Sequence, residues 1–251
     1  MIKRNYYKVV RVFPDPSSYF YIKNETMNKG QISFSSSWLS TVNLEYSFDK
    51  VNWTLIPSSD TSSDTWINNV PADGYVYFRN TSGTFGGSNF DSLIVIWTKV
   101  SLGGDVRTLF NYTDVDSVTT IPAYGFKTPF RKGGIGDILD ISNLSFRGIT
   151  SIGDFGLKYA FSYFNKFTKG VDLRDVTTIG EGALSNMYTD CSNLTEVYAP
   201  NVSTWDEYKT FYWLSNVAPT GVVYKPSTLD IPTNSISGIP YGWTTQDYPT
   251  I

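Results

Sequence analysis

No histidine occurs in the 251 residues, and Cys191 is the sole cysteine. Ser-His and Cys-His nucleophiles, imidazole-held metals and internal disulfides are therefore excluded, and one thiol is too few for a thiolate metal site. Chemistry that needs no imidazole remains open. A glycosidase works with two carboxylates, but nothing among the 23 acidic residues singles out a pair: Asp137 with Asp140 and Asp172 with Asp175 read as strand edges and turns. Glycine-rich turns can aim backbone amides at phosphate, but Leu102-Gly103-Gly104-Asp105 and Arg131-Lys132-Gly133-Gly134-Ile135-Gly136-Asp137 match no dinucleotide or Walker pattern. Asn111, Asp114 and Asp116 are oxygen donors of the kind calcium takes, without the remainder of a calcium loop. The expectation is a chain with no catalytic residues, no cofactor and no metal.

Two further sets of residues point to binding. Residues 1–13 carry Lys3, Arg4, Lys8 and Arg11 among Tyr6, Tyr7, Val9, Val10, Val12 and Phe13, with no acid before Pro14-Asp15-Pro16. Such a stretch reads either as an edge strand or as an anchoring arm that adds as a strand to a partner. Cationic residues on a chain of net charge −3 suit the arm, with Lys3, Arg4, Tyr6, Tyr7, Lys8 and Arg11 as its contacts. The second set is Trp205, Tyr208, Tyr212 and Trp213, aromatics that could face a glycan or simply fill a core. An acidic balance argues against nucleic acid, and no run approaches the ~20 apolar residues of a membrane span. The basic start lacks a following apolar stretch, so it does not read as a secretory signal; synthesis in a host cytoplasm without export is expected.

The elements that must position these residues are mostly strands. Charged residues make up only 17% of the chain, and 18 Tyr, 16 Phe and 7 Trp supply much of the burial, a composition favouring strands and turns. From Tyr19 to Lys99, short alternating segments (31–35, 42–47, 53–56, 65–67, 74–79 and 93–97) are separated by turn formers at roughly ten-residue spacing, which suggests a small β-sandwich. Residues 101–135 read as a connecting segment.

From Ile138 the chain repeats. Strand-like cores lie at 138–141, 170–173, 196–199 and 221–224. Ile152, Leu157, Phe161, Phe164 and Phe167 match Ile179, Leu184, Tyr188, Cys191 and Leu194 with a shift of 27, and Val176 and Ile179 match Val202 and Trp205 with a shift of 26. Each unit is expected to place one strand on a shared sheet and fill an interior with its other apolar residues. Short helical turns are expected around 157–164, 184–188 and 208–214. Cys191 then occupies the interior slot that Phe164 fills one unit earlier. The proline-rich tail loses the period, with Ile239, Tyr241 and Trp243 as a lid. The expected organisation is an arm (1–18), a β-sandwich (19–100), a connection (101–135) and a repeat domain with its cap (136–251).

Met187-Tyr188-x-x-Cys191-x-x-Leu194-x-x-Val197 followed by Pro200-x-Val202 resembles the BspA-type leucine-rich repeat of gut Bacteroidota surface proteins and their phages. Ala160-Phe161 with Phe164 and Phe167 fits the same pattern, with Phe in place of the usual Cys and Leu. Leu44-Glu45-Tyr46-Ser47 through Asn52-Trp53-Thr54 resembles the β domain that often precedes these repeats, and Trp213 to Trp243 resembles their ending. The resemblance implies a mainly β fold: a small N-terminal β-sandwich, then an irregular leucine-rich-repeat solenoid. With no export signal expected, it implies a non-enzymatic virion structural protein of a crAss-like phage: a head fibre, head decoration or tail appendage, homodimeric or homotrimeric, held to other capsid or tail proteins by its N-terminal arm. A carbohydrate-binding or host-adhesion module is the alternative.

Overall fold

The computed structural model describes residues 19–34, 43–56, 65–80, 94–233 and 235–249. The fold is mainly β. The first strands are β1 (Phe20–Asn24), β2 (Gly30–Phe34), β3 (Leu44–Ser47), β4 (Thr54–Leu55), β5 (Thr65–Val70), β6 (Tyr75–Asn80), β7 (Ile94–Ile96) and β8 (Lys99–Asp105). A single turn of helix, α1 (Thr108–Asn111), precedes β9 (Thr120–Ile121), β10 (Phe130–Lys132) and β11 (Asp137–Ser145). The remainder are β12 (Ser151–Ile152), β13 (Lys169–Asp172), β14 (Thr178–Ile179), β15 (Glu196–Tyr198), β16 (Gly221–Lys225) and β17 (Trp243–Asp247).

Two sheets make the N-terminal part, one in the order β11-β8-β1-β6-β3-β4 and the other β10-β7-β2-β5. Alternation decides their inner faces: Phe20 and Ile22 of β1 and Val76 and Phe78 of β6 are buried, while the residues between them face outward. Across the gap Phe78 meets Phe34 at 5.7 Å and Phe20 meets Phe130 at 6.3 Å, so the sheets pack face to face.

The C-terminal part is a stack of chain units joined by parallel hydrogen bonding. One track is β9, β12 and β14, with Ile121 beside Ile152 and Ile152 beside Ile179. Thr150 and Thr177 open their strands alike: each donates both its N–H and its hydroxyl to the carbonyl of the threonine one unit earlier, Thr119 and Thr150. A second track is β13-β15-β16-β17, with Lys169 beside Glu196, Glu196 beside Val222 and Val222 beside Thr244.

The third track replaces the expected helical turns. Over 155–163 alternate N–H groups leave the unit for the next one: Phe155, Leu157, Tyr159, Phe161 and Tyr163 donate to the carbonyls of Glu181, Ala183, Ser185, Met187 and Thr189. Gly182, Leu184, Asn186, Tyr188 and Asp190 do the same toward Tyr208, Lys209, Phe211, Trp213 and Ser215. A left-handed residue every fourth position (155, 159, 163; then 182, 186, 190) keeps these donors aimed along the stack. A helix would turn the same groups onto its own axis, so the expected helical turns give way to inter-unit bonding.

The stretch 101–135 does more than connect. It supplies part of β8, all of α1, the first rung of the stack (β9), and β10 of the second sheet. The strand core at 138–141 lies in β11, which pairs in parallel with β8 rather than joining the β13 ladder. Phe130, Phe126, Phe161 and Tyr188 follow one another at 5.8–6.4 Å, continuing the core between the two sheets into the stack. One buried cluster runs from Phe20 to Trp243.

Candidate functional site

Each residue set singled out for chemistry has a structural occupation. Asp137 pairs with Lys132 at 3.1 Å, and Asp140 accepts from the backbone and hydroxyl of Ser142. Asp172 grips Arg174 through both carboxylate oxygens, and Asp175 accepts the Gly148 N–H of the preceding unit. Asn111 caps Thr113, and Asp116 lies 3.3 Å from Arg107. In the glycine runs the need is space: a Cβ on Gly136 would run into the Ile96 carbonyl. Among the described residues no group of three or more Cys, Asp or Glu gathers to hold a metal. No helix among them is long and apolar enough to cross a membrane.

Cys191 sits in the interior slot expected from the repeat. It is fully buried, its thiol donates to the Phe161 carbonyl at 3.0 Å, and burial pushes its pKa up to about 12. A thiol held protonated is a poor nucleophile. Tyr188, one turn earlier, is also buried; its hydroxyl accepts the Val171 N–H at 2.9 Å, and burial holds its ionisation far above the ordinary tyrosine range.

The arm residues Lys3, Arg4, Tyr6, Tyr7, Lys8 and Arg11 lie outside the described residues. The four aromatics divide. Trp213 is 1% exposed and cannot face a ligand; its indole N–H donates to the Gly238 carbonyl at 2.8 Å. Trp205 is half-buried 5.0 Å from Trp213 and donates to the Ser237 carbonyl. Trp243 donates to the Ala218 carbonyl, so three indoles pin the C-terminal segment over the last unit. Ile239 and Trp243 are buried as a lid, whereas Tyr241 points to solvent. Tyr208 and Tyr212, by contrast, are exposed (76% and 37%), with Phe211 at 44% against Tyr212.

Those exposed rings belong to the outer side of the third track. Its left-handed positions carry Tyr124, Phe155, Tyr159, Tyr163 and Tyr212, but Thr128, Gly182, Asn186, Asp190 and Asn216 at other places of the same track. Glycine, and to a lesser extent asparagine and aspartate, tolerate that conformation; other side chains give up about 1–2 kcal/mol. An aromatic there is therefore costly, and Tyr163, 57% exposed, recovers little by burial. Tyr124 stacks on Phe155 at 5.3 Å, and the Phe155 ring leans over Gly182, where a Cβ would collide with it. Lys127 lies over Tyr124, and Lys158 lies over both Phe155 and Tyr159.

A second aromatic face went unread in the sequence. On the outside of the six-stranded sheet Tyr21, Tyr75 and Tyr77 pack at 5.2–6.2 Å. Beside them Arg79 is held between Trp53 (4.1 Å) and Tyr112 (4.4 Å) and bonds Glu45 at 2.6 Å. The signal was present: Tyr19-x-Tyr21 and Tyr75-x-Tyr77 put aromatics on the side of the strand opposite Phe20 and Val76. These rings lie against one another and tie β1, β3 and β6 together, so the turn face is the stronger binding candidate. Compared with known protein families, characterised proteins and solved structures, the chain matches none.

Proposed function

We propose that the chain is a non-enzymatic virion structural protein, a β-sandwich followed by a BspA-type leucine-rich-repeat solenoid. In this reading residues 1–18 attach it to a phage particle, and the repeats face outward. The observation that carries the reading is the stacking register: units offset by 26–27 residues bond in parallel along three tracks, and the apolar positions shared with the BspA pattern fill the interior. Acidic pairs, glycine runs and the single thiol all have structural partners, which also suits a scaffold better than an enzyme. Mass spectrometry of purified particles tests this reading, with the chain expected among the virion proteins. Deleting residues 1–16 should leave a folded protein that no longer incorporates; unchanged incorporation would refute the arm. A second reading, host adhesion through a glycan, is favoured by the exposed rings of Tyr163 and Tyr212 at left-handed positions of the turn face.

A further inference from the structure

We propose that the open edge of β17 pairs with the same edge of a second copy, joining two chains end to end about a two-fold axis at Thr245. The inference is independent of the virion and adhesion readings.

The backbone supplies the first observation. Residues of a parallel strand turn their N–H and C=O groups alternately to one side and the other. Tyr248 donates its N–H to the Lys225 carbonyl of β16, so Gln246 and Thr244 face β16 as well, beside Tyr224 and Val222. Trp243, Thr245 and Asp247 then aim their backbone groups the other way, where the sheet has no further strand. The Trp243 N–H is taken by the Pro240 carbonyl, and Thr244 to Asp247 are all exposed.

The second observation is that the remaining sheet edges are protected, among the described residues. β4, β9 and β14 are two residues long and β10 is three. β11 and β13 lie beside each other. β5 has a register shift opposite Gly30 and Gln31 and a left-handed Asn69. β17 has five residues in unbroken register, with no proline and no lysine, and so carries none of the usual guards against pairing.

These facts choose the occupant. The stack begins against the N-terminal sheets, where β13 adjoins β11, and has one open end per chain. A head-to-tail contact would need a second free edge of similar length, whereas one self-complementary edge closes as a two-fold pair. An antiparallel pair about a two-fold axis sets one outward-facing residue opposite itself. Asp247 there would oppose two carboxylates, and Trp243 would need an N–H already engaged. Thr245 can exchange both backbone bonds with its copy, a threonine pair of the kind sheets favour, and the Asp247 N–H then meets the second copy's Trp243 carbonyl. In the same register Tyr241, 86% exposed, lies across from the second copy's Pro249, also exposed. A foreign strand could supply the backbone bonds, but self-pairing also gives Tyr241 an apolar neighbour.

Sedimentation velocity of the full chain across a dilution series should show a dimer that dissociates at low concentration, as suits a small contact. Thr245→Pro removes an outward N–H and spares the bonds to β16, a place where an edge strand accepts proline. It should sediment as a monomer, with the urea midpoint of the dilute parent. Thr245→Cys should cross-link two chains under mild oxidation, since a hydrogen-bonded antiparallel pair sets Cα atoms about 5.5 Å apart, within disulfide reach. Asp247→Cys, far from its own copy in this register, should not; Cys191 is buried and does not compete. A chain monomeric at every concentration, or a dimer that survives Thr245→Pro, would overturn the inference. So would a trimer, no cross-link at position 245, or equal cross-linking at position 247. If the proline variant loses stability, the two cysteine variants decide.

Discussion

Tyr188→Phe tests how the units of the stack are fastened together. The Tyr188 hydroxyl reaches from the third track to the Val171 N–H on β13, at 2.9 Å, and both residues are buried. Removing the oxygen leaves the Val171 N–H without an acceptor in a dry interior, a penalty of about 1–3 kcal/mol. The ring and its packing against Phe161 and Phe167 stay in place, so little cavity cost is added, and we expect about 2 kcal/mol of destabilisation. Gly170 supplies the control. A Cβ there would stand 2.7 Å from the Tyr188 oxygen and 2.9 Å from the carbon bearing it. Gly170→Ala should therefore cost less in the Tyr188→Phe background than in the parent, a coupling of about 1 kcal/mol for groups in direct contact. Equilibrium urea unfolding followed by tryptophan fluorescence measures both, read as midpoint shifts at constant slope. A Tyr188→Phe effect below about 0.5 kcal/mol, or strict additivity with Gly170→Ala, would refute the hydroxyl bridge.

Other perturbations probe separate parts of the molecule. Leu194→Ala empties a fully buried interior slot and should cost about 2–5 kcal/mol by the same unfolding measurement. Asp105→Asn breaks a pair in which both side chains are under 10% exposed and should cost about 3–5 kcal/mol; Asp172→Asn, at a similar Asp-x-Arg clasp left a third open, should cost clearly less. Cys191 should resist iodoacetamide in the native protein and react on unfolding, read by mass spectrometry. Its folded pKa of about 12 exceeds the ordinary thiol value of about 8.5. The folded state thus holds the proton more tightly, and the thiol's contribution is complete below about pH 8.5 and lost as pH rises toward about 12. Wild type should lose stability faster than Cys191→Ala across that window in urea unfolding at stepped pH. Gly182→Ala places a Cβ against Phe155 at a left-handed position and should lower the thermal midpoint, with a cost of at least about 1 kcal/mol.

The repeat was legible because burial recurs with it. Ile152 and Ile179, or Phe164 and Cys191, are interior on successive units, and a shared interior imposes a shared spacing. Strands such as β1 and β6 of the N-terminal sheets have a related legibility: one face is buried, so their hydrophobicity alternates. The outward rings were harder to read, because an exposed tyrosine and a buried tryptophan look alike in a list of aromatics. Trp213 went inside because its indole finds the Gly238 carbonyl there, and Tyr208 stayed outside; neighbouring residue types could not say which.

Sequence by itself determined that imidazole chemistry is absent, that strands dominate, and that units of 26–27 residues recur from Ile152 to Trp205, because composition and periodic burial are local properties. Only the tertiary structure decided that 155–163 runs as inter-unit bonded turns, since those N–H groups find acceptors that lie 26 residues away in the chain. It likewise decided that 101–135 contributes to three sheets, and that Tyr159, Asn186 and Tyr212 stand one behind another. Juxtapositions of that kind depend on how units stack, and no single unit carries them.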